Sequence, residues 1–212
     1  MKNYAKFITG LIIVWFAFAW SASALHLFQN NANRIGLSVA FAAGTPIVLF
    51  SLWFAASQNF RRFALSLNPQ TLTSAQSWRV IGFIFLLLEA HRSLPAVFAF
   101  PAGYGDIFIG VTASYVAWKF ADPAHRNYFV LWQLLGILDL VIAVCVGTTA
   151  GLISPQGPTM APITALPLSL IPTFLVPLFT ILHVICIAQG RTWKTALLPA
   201  NQTASPVHQP AI

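Results

Sequence analysis

The sequence predicts an all-α, polytopic membrane protein with six transmembrane helices in one bundle. Three observations predict it. Of the 212 residues 58% are hydrophobic and only 7% are charged, against roughly 25% charged in soluble domains. So few charges cannot cover a water-soluble globule, and disorder requires low hydrophobicity. The apolar residues gather in runs of about 20, the length that crosses a bilayer as a helix. Short segments between the runs hold most of the Lys and Arg residues.

The first span is read at residues 7–28, after Lys2 and Lys6. A basic start, an apolar core and Ala22-Ser23-Ala24 also match a secretory signal cleaved after Ala24. The apolar run continues to Phe28, long for a signal core, so an uncleaved helix is the expectation. The second span is read at 35–57. A loop follows over 58–77, with Asn68-Pro69 as a turn.

The third span is read at 78–100, interrupted by Leu94-Pro95, and the fourth at 101–119. Pro101 suits the first helical position, where its missing N–H costs nothing. Gly110 and Ser114, with Ala113 and Ala117, give the fourth span a small-residue face for close helix packing. The fifth span is read at 128–150, followed by an uncharged, irregular outer loop.

The sixth span is read at 163–188. Pro162, Pro167, Pro172 and Pro177 recur through it, and each internal proline removes a helical hydrogen bond. The stretch before Pro172 therefore enters the membrane as a broken or re-entrant piece, packed on protein. Spans three and six are both Pro-interrupted on this reading. Residues 1–189 form the membrane domain, and 190–212 a disordered cytoplasmic tail.

The net charge of +7 points to topology, not to nucleic acid, because the basic residues sit between the apolar runs. Lys2, Lys6, Arg61, Arg62, Arg79, Lys119, Arg126, Arg191 and Lys194 fall on one side, and Arg34 on the other. Both termini are accordingly expected in the cytoplasm, with the protein in a bacterial inner membrane. Trp53, Trp78, Trp118, Tyr128, Trp132 and Trp193 mark the same face as an aromatic belt. Cys145 and Cys186 lie in different spans, near opposite membrane ends, and read as packing residues.

Ionisable residues within spans carry the functional reading, because their burial in lipid is costly. Counted at about 1.5 Å per residue, Glu89, Arg92, Asp106 and Asp139 come to nearly one depth. Glu89 and Arg92 share a helix face at i,i+3, and Arg92 can reach Asp106 across the connection between spans. Three carboxylates against one guanidinium leave an excess negative charge, which a proton or a bound cation would neutralise. His91 stands beside Arg92 as an assistant. His26, His91 and His183 lie at three different depths, which argues against a shared haem. His183 is expected to be hydrogen-bonded inside the bundle. No spacing suits zinc, so neither cofactor nor metal is expected.

The reading that follows is a proton- or cation-linked transporter or channel-like protein, in contact with lipid and a small solute, with an enzyme the less favoured reading. A homo-oligomer is compatible with it, and nucleic acid is not. Two alternatives stay open. One is a membrane-embedded enzyme or redox protein acting on a lipid or quinone, with Glu89, Asp106 or Asp139 as acid or base. The other is a structural or assembly protein whose polar cluster only joins helices.

Overall fold

The computed structural model describes residues 2–29 and 36–196, and every regular element among them is helical. The main helices are α1 (Lys2–Ala24), α2 (Leu37–Ala56), α3 (Gln58–Leu65), α4 (Pro69–Ser74), α5 (Phe83–Ala90), α6 (Ala96–Phe120), α7 (Arg126–Ile153) and α8 (Val176–Ala196). Six helical stretches are long and apolar enough to cross a membrane: Tyr4–Ala24, Leu37–Ala56, Pro69–Ala90, Ala96–Phe120, Pro123–Ile153 and Ile171–Trp193. The predicted class and the number of spans agree with this. Arg34, His208 and the tail from 197 onward lie outside the described residues, and α8 continues to Ala196.

Between spans two and three, α3 is a short amphipathic helix. The Ser57 hydroxyl caps its start by accepting from the Phe60 N–H at 3.3 Å. Phe60 and Ala64 are buried beside Phe50 and Ile185, while Arg62 is exposed. Arg61 turns back to donate to the carbonyls of Phe54 at 3.0 Å and Ala55 at 2.7 Å. These belong to the last turn of α2, where carbonyls lack helical partners.

The third span departs from expectation. Asn68-Pro69 is a helix start, not a turn. The Asn68 side-chain oxygen accepts from the Gln70 N–H at 2.8 Å, and Pro69 takes the first helical position. The span therefore runs Pro69–Ala90, nine residues earlier than the predicted start at Trp78. Pro95 is the N-cap of α6 and Pro101 lies inside that helix. The third span is thus not Pro-interrupted. Its irregularity is a 3₁₀ segment, Ala75–Gly82, inserted between α4 and α5. A 3₁₀ run of this length is uncommon, because its hydrogen-bond geometry is poorer than that of the α-helix.

Close packing explains how this segment is held. It lies on α6, where Gly110, Ala113 and Ala117 of the expected small face are buried together with Ala99, Ala102 and Gly103. A Cβ at Gly110 would run into the Val80 backbone. The Ser77 and Ser114 hydroxyls join the two elements at 3.0 Å. On the other side α6 packs on α7, and α7 on α8. Between α6 and α7, Asp122 accepts from the His125 backbone N–H at 3.0 Å and meets its ring at 2.9 Å. That side-chain bond holds the Asp122 carboxyl below the usual carboxylate range.

The sixth span, read at 163–188, is one continuous helical stretch, Ile171–Trp193, and Pro162 and Pro167 fall in the irregular segment before it. Ile171–Leu175 forms a π turn, in which the Val176 N–H reaches back to the Ile171 carbonyl. Pro172 and Pro177 cannot donate to the helical ladder there. Upstream, Met160 and Ile163 are buried against Phe85, Leu94, Phe98, Ala99, Ala102 and Ala150. The loop thus packs into the bundle at the end far from α3. Its buried backbone is satisfied locally. Ser169 N–H donates to Ala165 at 2.9 Å and Thr173 N–H to Ser169 at 3.2 Å. The Ser169 hydroxyl donates to that of Ser23 at 2.8 Å. Non-helical backbone at this depth requires such satisfaction.

Candidate functional site

The site begins with the register of the third span. Arg79 stands 10 residues after Pro69 and 11 before Ala90, at the centre of the stretch. Its side chain is 1% exposed. A guanidinium buried this deeply must spend its donors on acceptors, since it has no neutral form to fall back on.

Every nitrogen of Arg79 finds such an acceptor. Nε donates to Asp106 Oδ1 at 2.8 Å, and Nη2 donates to Asp139 Oδ2. Nη1 donates to the Gly136 carbonyl at 3.1 Å and lies 3.4 Å from His183 Nε2. One side chain from the third span therefore ties α6, α7 and α8 together. Trp78, its neighbour, is 74% exposed at the same mid-span level and so stands outside the expected interfacial belt.

The network fixes the protons beyond Arg79. Because the guanidinium only donates, His183 Nε2 must accept, which assigns the ring proton to Nδ1. Nδ1 donates to Gln133 Oε1 at 2.5 Å. The Gln133 amide then donates to the Thr73 hydroxyl at 3.0 Å. The Thr73 hydroxyl lies 3.8 Å from Cys186 Sγ. Gln76 donates to the Phe179 carbonyl at 3.2 Å, linking the 3₁₀ segment to α8. Trp132 packs beside the His183 ring at 5.8 Å and donates to Thr112 at 3.0 Å.

Three glycines make room for the charged groups. A Cβ at Gly82 would collide with Asp106, one at Gly105 with the Asp139 carboxylate, and one at Gly136 with the His183 ring. Each backbone therefore comes close to the site because no side chain stands in between.

Charge is unevenly distributed within this cluster. With both carboxylates ionised it carries one positive and two negative charges. Arg79 is fully enclosed, whereas both aspartate side chains keep 14% of their surface exposed. Among the described residues, no three His, Cys, Asp or Glu side chains form a group that could hold a metal ion.

Of the residues singled out in the sequence, Asp106 and Asp139 do meet, but through Arg79 and not Arg92. The nine-residue shift moves Arg79 to mid-span and carries Glu89, His91 and Arg92 to the far end. Glu89 is half-buried in the last turn of α5 and forms no ion pair among the described residues. His91 is the exposed C-cap of α5, and Arg92 is exposed in the following turn. Arg92 thus does not reach Asp106, which is bound to Arg79. His183 is hydrogen-bonded within the bundle, as expected. Arg79, Gln133 and Thr73 escaped sequence reasoning. The available signal was Asn68-Pro69 read as N-cap and first helical residue, since 22 residues onward from it put Arg79 at the centre.

No curated protein and no solved structure matches the chain. A family model described as a domain of unknown function, DUF8737, matches residues 35–189. The match begins just before α2 and includes every residue of the Arg79 cluster. By that match, which covers well over half of its length, the chain belongs to the DUF8737 family.

Proposed function

We propose that this protein is a small proton-linked membrane transporter in which Asp106 and Asp139 share Arg79 and exchange the coupled proton. The observation that carries the reading is one enclosed guanidinium divided between carboxylates of two different helices. In a low-dielectric interior an unbalanced charge is expensive, and one proton renders the cluster neutral. Protonation of Asp139 removes one of the charge-assisted bonds holding α7 to the third span, while Asp106 still holds α6. The proton thereby changes which helices are tied together, and that is the requirement for coupling to movement. The distribution of Lys and Arg supports a bacterial inner membrane with both termini in the cytoplasm. The solute is small.

An infrared titration of the purified protein tests this directly. A protonated-carboxyl band is expected to grow as pH falls, and to vanish in Asp139→Asn while thermal stability stays close to wild type. A wild-type protein with no titrating carboxyl band overturns the reading.

Full engagement of Arg79 favours a second reading, in which the cluster is a static lock among spans three to six. A lock predicts no titrating band and a lower unfolding temperature for Asp139→Asn.

A further inference from the structure

Two non-glycine residues among those described adopt the left-handed conformation, His26 at φ 59° and Arg92 at φ 53°. Both sit at the same end of the bundle, each just beyond a helix. The backbone pattern is the same in the two places. Arg92 N–H bonds to Glu89 and Ser93 N–H to Leu88, while His26 N–H bonds to Ser23 and Leu27 N–H to Ala22. This is the Schellman ending, whose left-handed residue is usually glycine because a Cβ is penalised there. Helix termination alone would be served better by glycine at both positions. Strain retained in this way directs attention to what the side chains do.

Arg92 lines a cleft, and His26 reaches it through Gln29. Arg92, Gln29, Ser93, Thr159 and Thr164 line a space of about 600 Å³, and among the described residues no Asp or Glu lines it. His26 Nδ1 is 2.8 Å from the Gln29 amide and so positions that side chain at the cleft. Among the described residues the Arg92 guanidinium has no hydrogen-bond or ion-pair partner. The Thr159 hydroxyl accepts from the Ala161 N–H at 3.3 Å, which leaves its own proton to donate. The Thr164 hydroxyl donates to the Ala161 carbonyl at 2.8 Å and shapes the floor. The cleft thus offers a forked cation, an amide N–H and a hydroxyl with no competing carboxylate.

We propose that this cleft binds an oxyanion of the phosphate type, either a free anion or the headgroup of an anionic lipid, through Arg92, Gln29 and Thr159. A guanidinium fork matches a phosphate or carboxylate by two parallel bonds, and that geometry is its main advantage over a lysine. The inference is independent of the proton-linked reading, because the Arg79 cluster supplies none of the lining.

The test uses the full chain in neutral detergent, with binding measured calorimetrically. The probes are inorganic phosphate and a soluble short-chain phosphatidylglycerol, with the matching phosphatidylcholine as control. Saturable binding of phosphate identifies a free-anion site. Binding of the anionic lipid alone identifies a headgroup site. In either case Arg92→Gln should weaken binding roughly tenfold or more, the loss typical of a charge-assisted pair. Arg92→Gly separates ligand binding from folding. It relieves the left-handed strain, so the unfolding temperature should hold or rise while binding falls as in Arg92→Gln. Absence of binding by both probes, or equal binding by wild type and Arg92→Gly, overturns the proposal.

Discussion

A guanidinium enclosed between helices is costly unless acceptors surround it, and Arg79 meets that condition with two carboxylates, a carbonyl and an imidazole. The same accounting makes its removal severe. In Arg79→Gln two aspartates remain without a counter-charge, and the expected destabilisation is roughly 3–5 kcal/mol, as for other broken buried pairs. Neutralising the whole set should recover much of that loss. The triple variant Arg79→Gln, Asp106→Asn, Asp139→Asn is expected to unfold at a higher temperature than Arg79→Gln alone, measured by tryptophan fluorescence on heating. If the triple variant is the less stable, the charges are not what the single substitution upsets. At this scale the sequence showed half of the site. Asp106 and Asp139 are carboxylates within apolar runs and stand out. Arg79 does not, because it follows a polar stretch, Thr71 to Ser77, that resembles a loop. Those polar residues include Thr73 and Gln76, which are fully enclosed and bonded to other helices.

The elements tell the same story in register. A hydropathy reading finds a span where side chains meet lipid, yet Thr73, Gln76 and Arg79 in the first half of the third span meet protein. Its start was nevertheless written in Asn68-Pro69, a cap followed by a residue that needs no N–H partner. The irregular entry to the sixth span was legible because prolines act through the backbone, whatever surrounds them. The 3₁₀ segment was not legible, since it depends on how closely α6 approaches. Gly110 tests that dependence. Its added Cβ in Gly110→Ala would press on the Val80 backbone, which cannot swing aside as a side chain can. Overpacking of this kind costs about 1–3 kcal/mol, so a clear drop in unfolding temperature is expected. Gly44 provides the control, because nothing lies within 4 Å of a Cβ placed there. Gly44→Ala should leave the temperature unchanged or raise it slightly, as alanine favours the helix. Equal behaviour of the two variants would mean that the α6 contact is not tight.

Across the whole molecule, six spans put the start of α1 and the end of α8 on one face. Lys6, Arg61, Arg62, Lys119, Arg126 and Arg191 belong to that face, and Arg92 to the other. Moving Arg79 from loop to mid-span removes one charge from the count and leaves its direction unchanged. Two of the loop cations are also tied to the fold. Arg61 holds the end of α2, and Arg126 donates to the Gly190 carbonyl of α8 at 2.7 Å. Lys6, Arg62 and Arg191 are exposed, and they can act on orientation without such a structural duty. Charge bias of this kind places a face in the cytoplasm. A fluorescent protein fused after the last residue should therefore mature and glow, while alkaline phosphatase fused at the same place should stay inactive. The reverse pair of results would put the termini outside. The Arg92 cleft would then face the cytoplasm, and the positive-inside bias would have failed for this chain.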